Sequence, residues 1–236
     1  MTGDFNIFPL GDSAITIDLG NLIREDLNDK VLAMQRWLTE HPFEGFIDSI
    51  VAYSSLSIFY DPVEVCRKNP SAASASGFVG ERLGEAWRLS PAQPGRHEEP
   101  VRVPVCYEGD LAPDLSSLAR EKGVSPEEIV HLHISGVYRV YMIGFLPGFA
   151  YLGETSELLA VTRKPRPVPV SAGSVGITGR QTGIYPLDSP GGWHIIGRTP
   201  VVLFDHMAEP PITLKIGDRV QFYPITRKEF GRISLL

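Results

Sequence analysis

Cysteines and long hydrophobic segments are both scarce in this sequence. The 236 residues include two cysteines, Cys66 and Cys106, which are far apart and form no CxxC motif. We therefore expect reduced structural thiols rather than a disulfide or a redox pair. The longest apolar runs are far below membrane-spanning length. The first residues, Met1-Thr2-Gly3-Asp4, lack the basic and apolar regions of a signal peptide, so we expect a cytoplasmic protein without membrane contact.

Two further patterns are missing. The net charge is −6 and no basic block compensates it, which argues against nucleic acid as a partner. The glycine-rich segment 173–179 contains no Gly-Lys-Ser/Thr, so no lysine is placed to reach nucleotide phosphates as in a Walker loop. Two interpretations of these glycines stay open: their backbone N–H groups form a concave anion site, or they only shape turns.

Glycine, proline and aromatic residues are concentrated between Gly144 and Thr199. This stretch contains the segments GFLPGF (144–149), SAGSVGITG (171–179), QTGIYP (181–186) and SPGGW (189–193). Glycine reaches positive φ angles without steric cost, and proline fixes φ at about −65°. Several such clusters in succession predict turns between short strands, as on the loop-rich side of a β-barrel or sandwich.

Residues 1–90 are predicted to form a small α+β sandwich, with helices on one face of an antiparallel sheet. Strand-like patterns occur at residues 5–8, 14–18, 46–51 and 56–60. One helix is predicted from apolar residues at helical spacing, which are Leu27, Val31, Met34 and Leu38. A second helix is predicted between about residues 71 and 89.

A linker and a second domain follow. Residues 91–100 are rich in proline and have no periodicity, which is typical of a linker. In the domain at 101–236, two short helices are predicted, one ending at Gly123 and one beginning after Ser125. Strands are predicted at 101–105, 137–143, 201–204, 212–214 and 219–223. The fold class is therefore α+β: a small N-terminal α/β sandwich followed by a β-barrel.

Arg198 and His194 are the candidate reactive residues. Arg198 follows an apolar run, so we expect its guanidinium to be partly buried. Such a group needs an anionic partner, which is either an internal carboxylate or an anionic ligand or neighbouring protein. His194 lies beside Trp193 in a Pro-Gly-Gly-Trp turn and is either an acid/base group or a packing residue.

Other side chains on this surface are candidates for binding. The neutral hydrogen-bonding groups are Gln181, Thr182 and Tyr185. An apolar loop, which is either core or a docking surface, contains Phe145, Pro147 and Phe149. His131 and His133 would share a face on a strand, but no third ligand is evident. No metal site is predicted.

These motifs, in this order, closely resemble the family that contains the B subunit of 5-oxoprolinase and KipI, also called allophanate hydrolase subunit 1. The resemblance rests on residues 144–153, 172–177, 181–186 and 189–199. Lesser signatures at Leu10-Gly11-Asp12 and Gly217-Asp218-Arg219-Val220 extend it over nearly the whole chain. The family implies a small α+β N-terminal domain and a cyclophilin-like β-barrel at the C-terminus.

The resemblance also implies a reaction and partners. Members act with a second cyclophilin-like subunit, and bacterial 5-oxoprolinases add a third, LamB/YcsF-like subunit that completes the ATP-dependent hydrolysis of 5-oxo-L-proline to L-glutamate. ATP, with or without magnesium, is then expected at or near the subunit interface. The expected catalytic residues are Arg198 and His194. The expected substrate- or nucleotide-binding residues are Ser174, Gly176, Gln181, Thr182 and Tyr185. The expected partner interface is Phe145, Pro147 and Phe149.

Two other functions remain open at this point. The chain also resembles KipI-like inhibitors of a sensor histidine kinase, which use the barrel as a binding module, and members of allophanate- or urea-type amide-processing assemblies.

Three positions depart from the family pattern. Ala150 and Ser171 each stand where a proline is usual, and Val137 stands where a glutamate is common. The last departure puts in doubt any acid/base role carried over to that strand.

Overall fold

The structure, a computed structural model, describes residues 5–92 and 99–234. The chain divides between residues 96 and 97 into two compact units. The predicted linker at 91–100 lies mostly outside the described residues. Each unit has its own sheet and its own buried core.

The first unit is a four-stranded antiparallel sheet with helices packed on it. Its elements are β1 (Asn6–Pro9), β2 (Ala14–Asp18), α1 (Glu25–Glu40), β3 (Phe46–Val51), β4 (Ser55–Tyr60), α2 (Pro62–Lys68) and α3 (Ala75–Leu89). The strand order is β1-β2-β4-β3. Helix α1 packs on β4 and helix α3 on β2. The predicted apolar stripe of α1 is buried at Val31, Met34 and Leu38.

One helix in this unit was not predicted. No helix was predicted between the segment at 56–60 and the helix at about 71–89, but α2 begins after Asp61. The Asp61 carboxylate accepts hydrogen bonds from the N–H groups of Val63 and Glu64, at 2.9 and 3.1 Å. Proline fits the first helical position because its missing N–H has no partner there in any helix. The predicted helix at 71–89 is shorter than expected, since α3 begins after the capping hydroxyl of Ser74.

The second unit is a nearly closed barrel. Its elements are β5 (Val101–Val105), α4 (Leu115–Lys122), α5 (Pro126–Ile134), β6 (Tyr138–Ile143), β7 (Ala150–Gly153), β8 (Val168–Val170), β9 (Ser174–Thr178), β10 (Gln181–Ile184), β11 (Ser189–Gly191), β12 (His194–Arg198), β13 (Arg219–Pro224) and α6 (Arg227–Ile233). Seven strands are ordered β12-β9-β10-β7-β6-β13-β5, and β8 pairs separately with β11. The predicted α+β class with a barrel is confirmed.

Closure of the barrel depends on its two edge strands. Beyond the end of β5, Cys106 exchanges two backbone hydrogen bonds with Arg198 of β12, at 2.8 and 2.9 Å. Edge strands otherwise leave unpaired backbone groups.

Both cysteines are free, Cys66 exposed and Cys106 buried, so the expectation of unbridged thiols is confirmed.

The C-terminal part of this unit differs from the sequence prediction. The segments 201–204 and 212–214 were predicted as strands, but they share only an isolated bridge between Phe204 and Ile212. The apolar residues there, such as Leu203 and Leu214, are buried against the barrel core without forming a ladder. Helix α6 was missed, although Thr226 and Glu229 form a reciprocal capping box at its start.

Among the described residues, no helix is long and apolar enough to cross a membrane.

Candidate functional site

Two glycines create a flat area on the outer face of the barrel. Gly176 of β9 lies directly opposite Gly183 of β10, and their neighbours Ile177 and Ile184 point into the core. A Cβ atom on Gly183 would lie 3.0 Å from Cζ3 of Trp193, and one on Gly176 would lie 3.0 Å from its Cβ. Because neither residue has a side chain, the indole of Trp193 packs directly against the sheet.

Aromatic rings surround this area. Phe149 meets Tyr185 and Trp193 edge to face, with ring centroids 5.0 and 5.5 Å apart. Tyr151 lies 4.6 Å from Phe149 and 5.8 Å from Trp193, measured between ring centroids. The edge-to-face contacts among these are favourable because the positive edge of one ring meets the negative face of another. The four rings therefore form fixed walls.

These walls enclose a pocket of about 250 Å³ on the second unit. We call it the outer-face pocket, and it is lined by Phe145, Phe149, Tyr151, Arg163, Thr178, Gln181, Tyr185 and Trp193. Apolar walls with a few convergent polar groups are typical of small-molecule sites. The pocket offers one cation, one amide and hydroxyl groups.

Arg163 supplies the cation. Its side chain lies over Gly192, where an added Cβ atom would come within 2.6 Å of Arg163 Nε. Within residues 5–92 and 99–234, the Arg163 guanidinium has neither a hydrogen bond nor an ion pair. Burial raises the pKa of the Tyr185 and Tyr151 hydroxyls, and the positive charge of Arg163 opposes that rise. The guanidinium is thus close to the rings and available to an anion.

Only some of the predicted site residues line this pocket. Gln181, Tyr185, Phe145 and Phe149 line it, whereas Pro147 does not. Phe149 is buried, while Phe145 is 62% exposed and has a left-handed φ of 67°. A non-glycine residue in this region is strained and is enriched at functional sites. The apolar loop is therefore core at Phe149 and surface at Phe145.

The glycine-rich segment does not form a concave amide site. Strand β9, which contains Ser174 and Gly176, has a strand on each side. Within the strand, backbone N–H groups donate across the ladders to β10 and β12, while the Ser174 N–H at its start donates to the Ser171 carbonyl at 3.1 Å. Ahead of the strand, the Gly173 N–H donates to the Tyr185 carbonyl at 2.7 Å. Of the two interpretations of these glycines, the structure favours the conformational one.

Thr182 is part of a buried network instead of the pocket surface. Its side chain is fully buried, and its hydroxyl donates to the Gly176 carbonyl at 3.1 Å and bonds to Nε2 of His133 at 2.9 Å. The other ring nitrogen of His133 bonds to the Tyr107 hydroxyl at 2.8 Å. His133 lies on helix α5, not on a strand beside His131. Burial lowers the pKa of His133 to about 3, so the imidazole is neutral.

The structure does not bring Arg198 and His194 together. They occupy opposite ends of β12, which in a regular strand are roughly 13 Å apart. Arg198 Nε donates to the Ala172 carbonyl at 2.7 Å, and no carboxylate in the described part of the chain pairs with its guanidinium. His194 Nε2 lies 3.0 Å from the Thr162 carbonyl. Neither residue lines the outer-face pocket.

Comparison with known proteins identifies the family. Residues 5–214 match the family described as "Carboxyltransferase domain, subdomain C and D". The chain belongs to this family. It is 43% identical over 236 residues to the 5-oxoprolinase B subunit of Bacillus subtilis, covering 98% of this chain and 97% of that protein. The resemblance seen in the sequence motifs is confirmed.

Two more distant relatives are longer than this chain. The chain is 26% identical to "Urea amidolyase" of Saccharomyces cerevisiae over 249 residues, covering 95% of this chain but 13% of that protein. The solved structure of TTHA0988 is 35% identical with a TM-score of 0.74, and the match covers 90% of this chain and 40% of that one. The chain thus spans less than half the length of these two proteins.

Arg163 was missed because the sequence around it carries no signal for a site. It lies in a polar loop with Lys164 and Arg166, which by composition is a solvated turn. The loop reaches Trp193 only through long-range pairing. Strand β8 pairs with β11, and the Lys164 N–H donates to the Gly192 carbonyl at 2.8 Å.

Across the described ranges, no group of three or more His, Cys, Asp or Glu side chains is placed to hold a metal ion.

Proposed function

We propose that this chain is a non-autonomous subunit of an ATP-dependent 5-oxoprolinase, which converts 5-oxo-L-proline to L-glutamate. The observation that carries the proposal is the 43% identity to the 5-oxoprolinase B subunit of Bacillus subtilis over nearly the full length of both proteins. A subunit so named has other subunits as partners. The expected ones are a second cyclophilin-like subunit and a third, LamB/YcsF-like hydrolytic subunit.

The chemistry of the substrate explains the need for ATP. A lactam carbonyl is a poor electrophile, and its nitrogen is a poor leaving group. Attack of the lactam oxygen on the γ-phosphoryl group of ATP would release ADP. Water would then add to the activated ring carbon, and loss of inorganic phosphate with cleavage of the C–N bond would give L-glutamate. The site must then supply hydrogen-bond donors for the substrate carboxylate and for phosphoryl oxygens in a pocket with little water.

Arg198 is the residue of this chain that we assign to phosphoryl oxygens. Its terminal guanidinium nitrogens have no ion-pair partner within the described ranges, while its Nε is held by the Ala172 carbonyl. The charge of Arg198 also acts on the Asp110 carboxylate and helps to lower its pKa, after the larger effect of the hydrogen bond from Arg227. A guanidinium whose Nε is held by a carbonyl is oriented for bidentate contact of its other nitrogens with an oxyanion. His194 and Ser174 keep their predicted roles only as hypotheses that the same assay tests.

The proposal is tested by reconstitution. Mixed with its two partner subunits, the wild-type chain should support ADP release that depends on 5-oxo-L-proline, and omission of the chain should abolish it. If the subunits assemble but 5-oxo-L-proline does not stimulate ADP release, the proposal is wrong.

The Arg198→Ala variant should lower this activity at least tenfold, because one charge-assisted hydrogen bond contributes about 1.5–3 kcal/mol. Co-elution with the partner subunits must be retained. The exposed Arg232, on helix α6 of the same unit, gives the matched control Arg232→Ala, for which we expect full activity. Unchanged activity of Arg198→Ala would remove Arg198 from the mechanism while leaving the subunit assignment intact.

A second candidate function rests on the similarity to urea amidolyase. In that case the chain would belong to an amide-processing or carboxyl-transfer assembly with a biotin-bearing or carboxylase partner. The same reconstitution separates the two functions when urea or allophanate replaces 5-oxo-L-proline. Inhibition of a sensor histidine kinase, the third function, remains the prediction to test if none of these amides stimulates ATP hydrolysis.

A further inference from the structure

We propose that the outer-face pocket binds a small planar lactam that carries one carboxylate, and that Arg163 holds this carboxylate. The inference rests on the proposed function, because 5-oxo-L-proline is such a molecule. It goes further by assigning substrate binding to this chain and to a residue that no sequence motif indicated.

The size of the pocket favours a small ligand. Sites for drug-sized molecules usually enclose about 300–1,000 Å³, and the outer-face pocket encloses about 250 Å³. A five-membered ring with one substituent fits such a volume. A complete nucleoside triphosphate is too large to be enclosed, so we place its nucleoside outside this pocket, with only the γ-phosphoryl group reaching the lactam oxygen at the opening.

The charge of the pocket favours one negative group. Arg163 is the only charged residue among those that line the pocket in the described part of the chain. The neighbouring cation Lys164 is already neutralised by Asp114, with Nζ and Oδ2 2.6 Å apart. A ligand with one carboxylate would therefore pair with Arg163 and leave no uncompensated charge beside the aromatic walls.

The neutral polar groups match an amide. Gln181 lies directly opposite Thr178 in the β9–β10 hairpin, so their side chains leave the sheet on the same face and within reach of one ligand. A glutamine side chain offers both donors and an acceptor, and a threonine hydroxyl can do either. These two residues therefore satisfy the lactam N–H and C=O, while Trp193 and Tyr151 cover the ring.

Binding to the full-length chain is the first measurement. Because Trp193 lies in the pocket, its fluorescence should change as 5-oxo-L-proline is added, in a background where Trp37 and Trp87 are replaced by phenylalanine. Calorimetry gives the affinity. The probes are 5-oxo-L-proline, 2-pyrrolidinone, which lacks the carboxylate, L-proline, which lacks the lactam carbonyl, and ATP. We expect binding of 5-oxo-L-proline at least tenfold tighter than that of 2-pyrrolidinone or L-proline.

Two variants test the role of Arg163. Arg163→Gln should weaken binding of 5-oxo-L-proline roughly ten- to hundred-fold, the range for hydrogen bonds to a charged group. Gly192→Ala should also weaken it, because the new methyl group displaces the Arg163 side chain without changing the charge. Arg166, exposed in the same loop and absent from the pocket lining, provides the matched control. Arg166→Gln should bind as the wild type does.

The reconstituted complex separates this inference from the proposed function. We expect Arg163→Gln to raise the KM for 5-oxo-L-proline at least tenfold while the KM for ATP stays the same. If the wild-type complex is active and Arg163→Gln has an unchanged KM for 5-oxo-L-proline, the pocket assignment is wrong and the subunit assignment stands. If ATP displaces 5-oxo-L-proline from the pocket, the pocket is a nucleotide site and the inference is also wrong. An inactive wild-type complex together with no binding to the chain would overturn both.

Discussion

Replacement of His133 by leucine should destabilise the second unit by about 2–4 kcal/mol at pH 7. The substitution leaves the buried Tyr107 hydroxyl without its partner at 2.8 Å, and an unsatisfied buried hydroxyl costs about 1–3 kcal/mol. It also removes the stacking of the imidazole on Phe222, whose ring centroid is 4.5 Å away. Thr182 retains its hydrogen bond to the Gly176 carbonyl, which limits the loss.

The same residue should make the wild-type unit sensitive to acid. Burial lowers the pKa of His133 to about 3, whereas an unfolded histidine has a pKa of about 6.5. Below pH 6.5 the unfolded chain therefore binds a proton that the folded chain does not, and stability falls as the pH drops towards 3. At pH 4.5 the loss from this group is about 3 kcal/mol, and His133→Leu should lack it.

Urea unfolding at pH 7 and pH 4.5 measures both effects. Trp193 is the only tryptophan after residue 87, so its fluorescence reports on the second unit when Trp37 and Trp87 are phenylalanine. The control is His131→Gln, which changes an exposed histidine on the same helix and should keep the wild-type pH dependence. An equal loss of stability in acid for the wild type and His133→Leu would contradict the prediction.

Replacement of Gly173 by alanine should cost about 2–5 kcal/mol or prevent folding of the barrel. The new Cβ atom would overlap with the backbone carbonyl oxygen of Thr199, which cannot move as a side chain can. Gly173 also has a φ of 81°, where an L side chain adds about 1–2 kcal/mol of strain. Overpacking adds about 1–3 kcal/mol more. The strain would fall on the hydrogen bond from the Thr199 N–H to the Gly173 carbonyl, at 2.9 Å.

Gly179→Ala separates strain from overlap. Gly179 has a φ of 52° but no atom within 4 Å of an added Cβ, so only the conformational cost of about 1–2 kcal/mol applies. The yield of folded protein and the urea midpoint are the measurements. If Gly173→Ala and Gly179→Ala lose a similar amount of stability, the close approach of Gly173 to Thr199 is not what excludes a side chain at position 173.

Local signals in the sequence predicted much of the secondary structure. Helix α4 ends at Gly123 in the left-handed conformation, and the Ser125 hydroxyl caps α5 by accepting the N–H of Glu128. Such signals depend on neighbouring residues alone. Segment 201–204 was predicted wrongly because an apolar β-branched run also suits a loop that buries a single residue, here Leu203, and only a partner strand makes it a ladder.

The candidate site was predictable only in part, for the same reason. The Gly-Pro-aromatic motifs indicated the surface on which Gln181, Tyr185 and Phe149 meet. They did not show that Thr182, one residue from Gln181, points into the core and binds His133. Successive residues of a strand face opposite sides of the sheet. A motif whose residues are all assigned to one surface therefore includes residues from both faces.

The sequence by itself determined the family, the α+β class, the end of helix α4 and the start of helix α5, because motif order and capping residues are local properties of the chain. Only the tertiary structure decided which side chains share a site. Arg163 comes to Trp193 through the pairing of β8 with β11 and the contact with Gly192, while Arg198 and His194 are separated by the length of β12. Strand pairing joins residues that are distant in the chain, and no local pattern contains that information.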